Sequence, residues 1–252
     1  MLAQFDGLVW FTLTLLPLVF LQRLLHREIQ AVFLILSRSP EFTITVFSII
    51  FLPGVLLHEF SHYLMAVMLG VPAARFSLIP QMLPDGRLQL GYVETVKTDI
   101  IRDSLIGAAP LLAGGSFIAY LSITRLDLLP LWAVLRNGQL NLFWLGIALL
   151  PQVKDFPLLF YLVFTVSSTM LPSGSDRHAW LPLGVIMIVL LVLAVVAGAG
   201  PWMLAYAAPV MNAFLRSSAT IFGLSALLHA VLIVPIGLVH LGLARITGWD
   251  VV

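Results

Sequence analysis

Residues 43–70 read TITVFSIIFLPGVLLHEFSHYLMAVMLG, an apolar run that is long enough to cross a lipid bilayer. Within it lies the motif HEFSH at positions 58–62. On a helix, His58 and His62 are one turn apart and project from one face, so both imidazoles can reach one Zn²⁺. Glu59 lies about 100° round the helix from His58, where it can polarise a metal-bound water without being a ligand. The stretch therefore predicts a membrane helix that carries part of a hydrolytic zinc site.

The composition is that of an integral membrane protein. The chain is 60% hydrophobic and 10% charged, whereas soluble domains carry about 25% charged residues. The formal net charge is +1, and no basic block indicates nucleic acid as a partner. The absence of cysteine excludes disulfides, thiolate zinc sites and a cysteine nucleophile. Any bound metal must therefore be held by His, Asp or Glu.

The hydropathy pattern predicts an all-α polytopic membrane protein with about six transmembrane helices. The predicted spans are 7–24, 43–70, 104–124, 156–171, 181–207 and 219–244. The first span lacks a basic region before it, so we interpret it as a retained helix and not as a cleavable signal. We expect one membrane-embedded domain over residues 1–252, with a core at about 43–180 and the first, fifth and sixth spans as accessory helices.

Two connections between spans carry patterns of their own. Residues 75–79 and 87–96 are strand-like segments around the turn signal Pro84-Asp85-Gly86, which predicts a small membrane-associated β-hairpin. Residues 126–153 mix apolar and polar side chains, as expected of a segment that lies along the membrane interface.

The third metal ligand must come from elsewhere in the chain, because a catalytic zinc takes three protein ligands and an open position for water. No Glu follows Glu94, which excludes the thermolysin type of site, in which a downstream Glu is the third ligand. Met65 and Met68 replace the Gly and His of the extended HExxHxxGxxH motif, which excludes that class of zinc enzyme as well. The remaining downstream candidates are Asp99, Asp103, Asp127, Asp155, Asp176, Asp250, His178, His229 and His240.

Topology favours Asp176 among these candidates. The second and fourth predicted spans run parallel, and Asp176 follows the end of the fourth on the side to which the HEFSH motif belongs. Residues 171–176 (LPSGSD) interrupt the helix with Pro and Gly, and such irregular backbone at membrane depth is tolerated where it lines a wet cavity. His178 is the reserve candidate. We expect His229 and His240 to serve as hydrogen-bonded packing or gate residues and not as ligands.

The motif, the hairpin, Gly107-Ala108-Ala109-Pro110 in the third span and Asp176 after a broken fourth span resemble the site-2 protease family of intramembrane zinc metalloproteases. The resemblance covers about residues 43–177. Within the family, the chain is similar to the six-span archaeal and bacterial members. Two motifs depart from the family pattern. Ser175-Asp176-Arg177 stands where the family has Leu-Asp-Gly, and residues 109–113 (APLLA) replace Gly-Pro-x-x-Asn.

The resemblance implies one Zn²⁺ per chain, held by His58, His62 and Asp176, with Glu59 as the general base. It implies a zinc metalloendopeptidase that hydrolyses peptide bonds within or near transmembrane segments of other membrane proteins. It implies that the hairpin pairs with the unwound strand of the substrate. The implied location is the plasma membrane of a prokaryote, as a multi-pass protein with its active site toward the cytosol.

Two other classes of function stay open at this point. The first is a catalytically inactive, protease-like membrane protein that binds or holds membrane-protein clients. The second is a transporter that uses intramembrane His and Asp as an ion relay. A transporter of this kind predicts paired repeats with broken helices, and no such repeat is evident in the sequence.

Overall fold

A computed structural model describes residues 6–82 and 88–249 of the chain. Most of these residues are helical. The principal helices are α1 (Asp6–Ser37), α2 (Pro40–Met68), α3 (Ile100–Thr124), α4 (Leu128–Arg136), α5 (Leu140–Leu149), α6 (Phe156–Thr169), α7 (Trp180–Ala194), α8 (Gly200–Trp202) and α9 (Ala208–Thr247). The strands are β1 (Ala73–Ser77), β2 (Gln81–Met82), β3 (Leu88–Gln89) and β4 (Tyr92–Thr95).

Four helical stretches in the described part of the chain are long and apolar enough to cross a membrane. They are Asp6–Ser37, Pro40–Met68, Ile100–Thr124 and Trp180–Thr247. A fifth candidate is the pair Leu140–Gln152 and Phe156–Thr169, which is bent by 102°. Large apolar side chains are exposed along these helices, as expected for surfaces that face lipid. The predicted all-α membrane fold is therefore confirmed at this level.

Two aromatic and aliphatic clusters hold the bundle together. One joins α1, α3, α6 and α9 through Leu18, Ile118, Val163 and Phe222. The other joins α1, α2 and α6, with Phe47 and Phe51 at its centre and ring centroids 4.5 Å apart. The candidate site lies where α2, α3 and α6 meet, so it is supported by both clusters.

Helices α1 and α9 run parallel and are tied together at two levels. Near the start of α1, the Gly7 N–H donates to the Asn212 side chain at 2.7 Å, and Asp6 pairs with Arg216. About six helical turns further along α1, the His240 Nδ1 lies 2.6 Å from a Glu28 carboxylate oxygen. This partly buried hydrogen bond offsets the cost of placing these groups between apolar helices.

The predicted hairpin is present, with shifted strand bounds. Strand β1 pairs antiparallel with β4, so that Phe76 lies opposite Val93 and Ser77 opposite Tyr92. Strand β2 pairs with β3 in the same sense. The predicted turn at positions 84–86 lies outside the described residues.

Several predicted spans differ in length from the helices. Helix α1 extends to Ser37 and not to position 24, and α3 begins at Ile100 and not at 104. The predicted spans at 181–207 and 219–244 both fall within Trp180–Thr247, which is interrupted at Gly198 by a positive φ of 89°. The count of six spans stays a prediction.

The hydrogen bond from the Tyr161 hydroxyl to the Ile50 carbonyl, 2.8 Å long, ties α6 to α2. We expect Tyr161→Phe to destabilise the protein by about 1 kcal/mol, since one partly buried hydrogen bond is lost. The change should be measured as thermal or denaturant unfolding in detergent. Tyr120→Phe is the matched control, because Tyr120 is 58% exposed. An equal effect of both substitutions would contradict this assignment.

Candidate metal centre

The two motif histidines present their Nε2 atoms to one point. His58 and His62 lie on the same face of α2, and their Nε2 atoms are 3.2 Å apart. The His58 Nδ1 donates to the Thr169 carbonyl at 2.6 Å, and the His62 Nδ1 donates to the Ile106 carbonyl at 2.8 Å. Because a carbonyl oxygen only accepts, both rings carry hydrogen on Nδ1, which leaves a lone pair on each Nε2 in the neutral form.

Both accepting carbonyls are ones that helix hydrogen bonding leaves free. Thr169 is the last residue of α6, and the last four carbonyls of a helix have no partner within it. Ile106 lies inside α3, but Pro110, four residues further on, has no N–H to donate to it. The Pro of the third-span motif therefore leaves a carbonyl of α3 available to orient His62.

Asp176 completes the group from the segment between α6 and α7. One of its carboxylate oxygens lies 3.3 Å from the His62 Nε2, and the other lies 3.7 Å from the His58 Nε2. The ligand atoms of the three residues all lie within 4.8 Å of one another. The Ser173 N–H donates to the Asp176 carboxylate at 2.6 Å, which holds the side chain in this orientation.

Gly107 allows the Asp176 segment to approach α3. A Cβ at Gly107 would collide with the Asp176 carbonyl oxygen. The same segment is attached to α3 further along, since the His178 Nε2 lies 3.4 Å from the Asp103 carboxylate and the Trp180 indole donates to the Ser104 carbonyl at 3.3 Å. The segment therefore contacts α3 at Asp176 and again at the residues that follow it.

Glu59 is buried beside the histidines. It is 7% exposed and interacts electrostatically with His58, His62 and Asp176. The hairpin covers it, because a Cβ at Gly91 would lie only 2.9 Å from the Glu59 Cγ. The carboxylate of the motif thus lies between the metal-ligating candidates and the β-structure.

The Asp176 carboxyl is held in its ionised form. Burial by itself raises the pKa of this carboxyl, but hydrogen bonds from the His58 and His62 rings, which Nε2 can donate only when each ring is protonated, and from the Ser173 N–H outweigh burial. The pKa of Asp176 is therefore lowered from its ordinary value. An ionised carboxylate is the form that binds a metal.

The donor set fits a divalent cation such as Zn²⁺. Two lone pairs and a carboxylate converge on one point, and this arrangement repels itself unless a positive charge lies between the atoms. Tetrahedral zinc with Zn–N bonds of about 2.0–2.1 Å needs ligand nitrogens about 3.3 Å apart, close to the 3.2 Å between the His58 and His62 Nε2 atoms. His₂Asp leaves a fourth position for water, as in catalytic zinc sites.

The other sequence candidates lie elsewhere. Asp99 caps α3 by accepting from the Ile101 and Arg102 N–H groups. Asp103 pairs with His178, the reserve candidate. Asp127 and Asp155 occupy left-handed positions at the starts of α4 and α6. His229 bonds Ser168, and His240 bonds Glu28. Asp250 lies outside the described residues.

Sequence analysis missed the groups that orient the histidines. The carbonyls of Ile106 and Thr169 are invisible to side-chain patterns, although Pro110 signals that one carbonyl of α3 is free. Gln22 and Ser168 were also missed. A polar residue inside an apolar span needs a partner, and this signal could have found both of them.

We expect Gly107→Ala to displace the Asp176 segment, because the added methyl group collides with backbone and not with a flexible side chain. The cost should be about 1–3 kcal/mol, and amide hydrogen exchange over residues 171–179 should rise. Gly115→Ala on the same helix is the matched control, since among the described residues its Cβ would meet only the Ile221 Cδ1 at 3.9 Å. Unchanged exchange in the Gly107 variant would show that the segment does not depend on this contact.

His58, His62 and Asp176 thus share one small volume, and Glu59 is buried next to it. The chain matches no protein-family model, no curated protein and no solved structure.

Proposed function

We propose that this protein is an intramembrane zinc metalloendopeptidase that resembles the site-2 proteases. The observation that carries the proposal is the convergence of His58, His62 and Asp176 within 4.8 Å, inside a bundle of apolar helices. His58 and His62 would hold the zinc through Nε2, and Asp176 would hold it through its carboxylate. Zinc bound there would supply Lewis-acid chemistry, which acidifies a coordinated water and attracts a carbonyl oxygen.

Glu59 would be the general base and then the general acid. It is buried next to the two histidines but does not belong to the three-ligand group. It would take a proton from the attacking water and later deliver it to the nitrogen of the leaving amine. The Nδ1–H bonds of His58 and His62 would keep both rings in the tautomer that the metal requires.

The hairpin is an argument that the substrate is a peptide segment from the membrane. A transmembrane helix must unwind before hydrolysis, and its freed backbone groups are costly to leave unpaired in an apolar setting. Gly91, beside β4, lies against Glu59, and β1 is the partner of β4 among the described strands. The other edge of β4 could therefore pair with an extended substrate by β-augmentation next to the candidate metal centre.

The proposal includes six spans and a location in the plasma membrane of a prokaryote, with the site toward the cytosol. The sharp interruption at Gly198 supports two crossings within Trp180–Thr247. The bent pair of Leu140–Gln152 and Phe156–Thr169 supplies the remaining crossing.

Metal analysis tests the ligand set. We expect about one zinc per purified chain and a loss of zinc in His58→Ala, His62→Ala and Asp176→Ala, since each removes one ligand atom of the group. His178→Ala is the matched control, because His178 lies in the same segment but pairs with Asp103. Undiminished zinc in the Asp176 variant, or loss of zinc in the His178 variant, would overturn this ligand assignment.

A cleavage assay with a model membrane-protein substrate tests the reaction. We expect Glu59→Gln to retain zinc and to lower the cleavage rate by about 100-fold or more, because an amide cannot act as the base. Glu41→Gln, at the exposed start of the same helix, should cleave at the wild-type rate. Zinc binding without cleavage in the wild type would favour the alternative of an inactive protein that holds clients.

A further inference from the structure

The end of α6 is held by side chains from three other helices. The Thr169 carbonyl accepts from the His58 ring of α2 at 2.6 Å. The carbonyl of the preceding residue, Ser168, accepts from the Gln22 side chain of α1. The Ser168 hydroxyl bonds the His229 Nε2 of α9 at 3.0 Å. Two carbonyls that end the helix, and one side chain, are thus satisfied from outside it.

The direction of the bond between Ser168 and His229 follows from the other side of the ring. The His229 Nδ1 donates to the Ser225 carbonyl at 2.7 Å, so the Nε2 of the neutral ring accepts from the Ser168 hydroxyl. Ser168 is 1% exposed and His229 is fully buried. Solvent therefore does not reach either partner in the intact protein.

We propose that Gln22 and His229 are positioning residues for His58. They hold Ser168 through its backbone and its side chain, and the next residue supplies the carbonyl that orients the His58 ring. As a consequence, α1 and α9 affect the metal affinity of a site to which they provide no ligand. This consequence rests on the proposed function. The positioning role explains why the half-buried Gln22 and the fully buried His229 lie between apolar helices, where an unsatisfied polar group would be costly.

The expected effect of His229→Ala is about tenfold weaker zinc binding, at the lower end of the range for loss of an outer partner of a ligand. His229→Gln should restore much of the affinity, because its amide oxygen can accept from Ser168 where Nε2 does. Ser168→Ala should match His229→Ala. The double variant should be no weaker than either single variant, since both remove the same bond.

The matched control is Ser225→Ala. Ser225 is also fully buried on α9, but its hydroxyl has no hydrogen-bond partner among the described residues. Its carbonyl, which receives the His229 Nδ1–H, is unchanged by the substitution. A loss of buried serine packing in general would affect Ser225→Ala and Ser168→Ala alike, whereas the inference predicts that only the second weakens zinc binding.

The experiment has two readouts: zinc affinity from competition with a chromogenic chelator, and amide hydrogen exchange over residues 165–170 in zinc-free protein. In His229→Ala, zinc affinity should fall and exchange should rise, and neither should change in Ser225→Ala. Wild-type values of both in His229→Ala would overturn the inference. Absence of zinc binding in the wild type would instead reject the proposed function, and unchanged exchange in zinc-free His229→Ala would still reject the positioning role.

Discussion

Both imidazoles of the candidate metal centre donate Nδ1–H to helix carbonyls, and the other features of the site depend on this orientation. The carbonyls belong to Ile106 and Thr169, on α3 and α6. Each is free for a different reason. Pro110 cannot donate to the first, and the second lies in the last turn of its helix. Without these bonds the two Nε2 atoms would have no reason to face one point.

The position of Asp176, the third candidate ligand, depends on the break in the chain that follows α6. Asp176 approaches the histidines only because the chain after α6 leaves the helix and passes close over Gly107. Bonds from that segment to Asp103 and Ser104 then seat it on α3. A polar cluster in an apolar bundle is tolerated because each described member of it has a partner or would share a cation.

Helices α1 and α9 contribute to the site without providing a ligand. Both contact the end of α6 through Ser168, one residue before the carbonyl that orients His58. All the candidate ligands therefore lie in the core at about 43–180, but the accessory spans interact with that core through Ser168. Packing of α1 against α9, tied at Asp6 and at Glu28, keeps Gln22 and His229 at their level in the bundle.

Composition and the HEFSH spacing alone determined the membrane helices and the shared face of the two motif histidines. Long apolar runs predict membrane helices, since hydropathy is a sum over neighbours in the chain, and one helical turn brings His58 and His62 to one face. A Pro/Gly break and parallel spans favoured Asp176 over His178, and the structure brings Asp176 to the two histidines while His178 pairs with Asp103.

Only the tertiary structure decided which groups orient the ligands. The partners of His58, Ser168 and Asp176 include backbone atoms and residues up to 146 positions distant in sequence, and no local pattern encodes such pairings. Helix ends beyond the apolar runs, as in α1, were missed for a related reason. Glu28, in this part of α1, is satisfied by His240 of α9, a helix that becomes its neighbour only when the bundle forms.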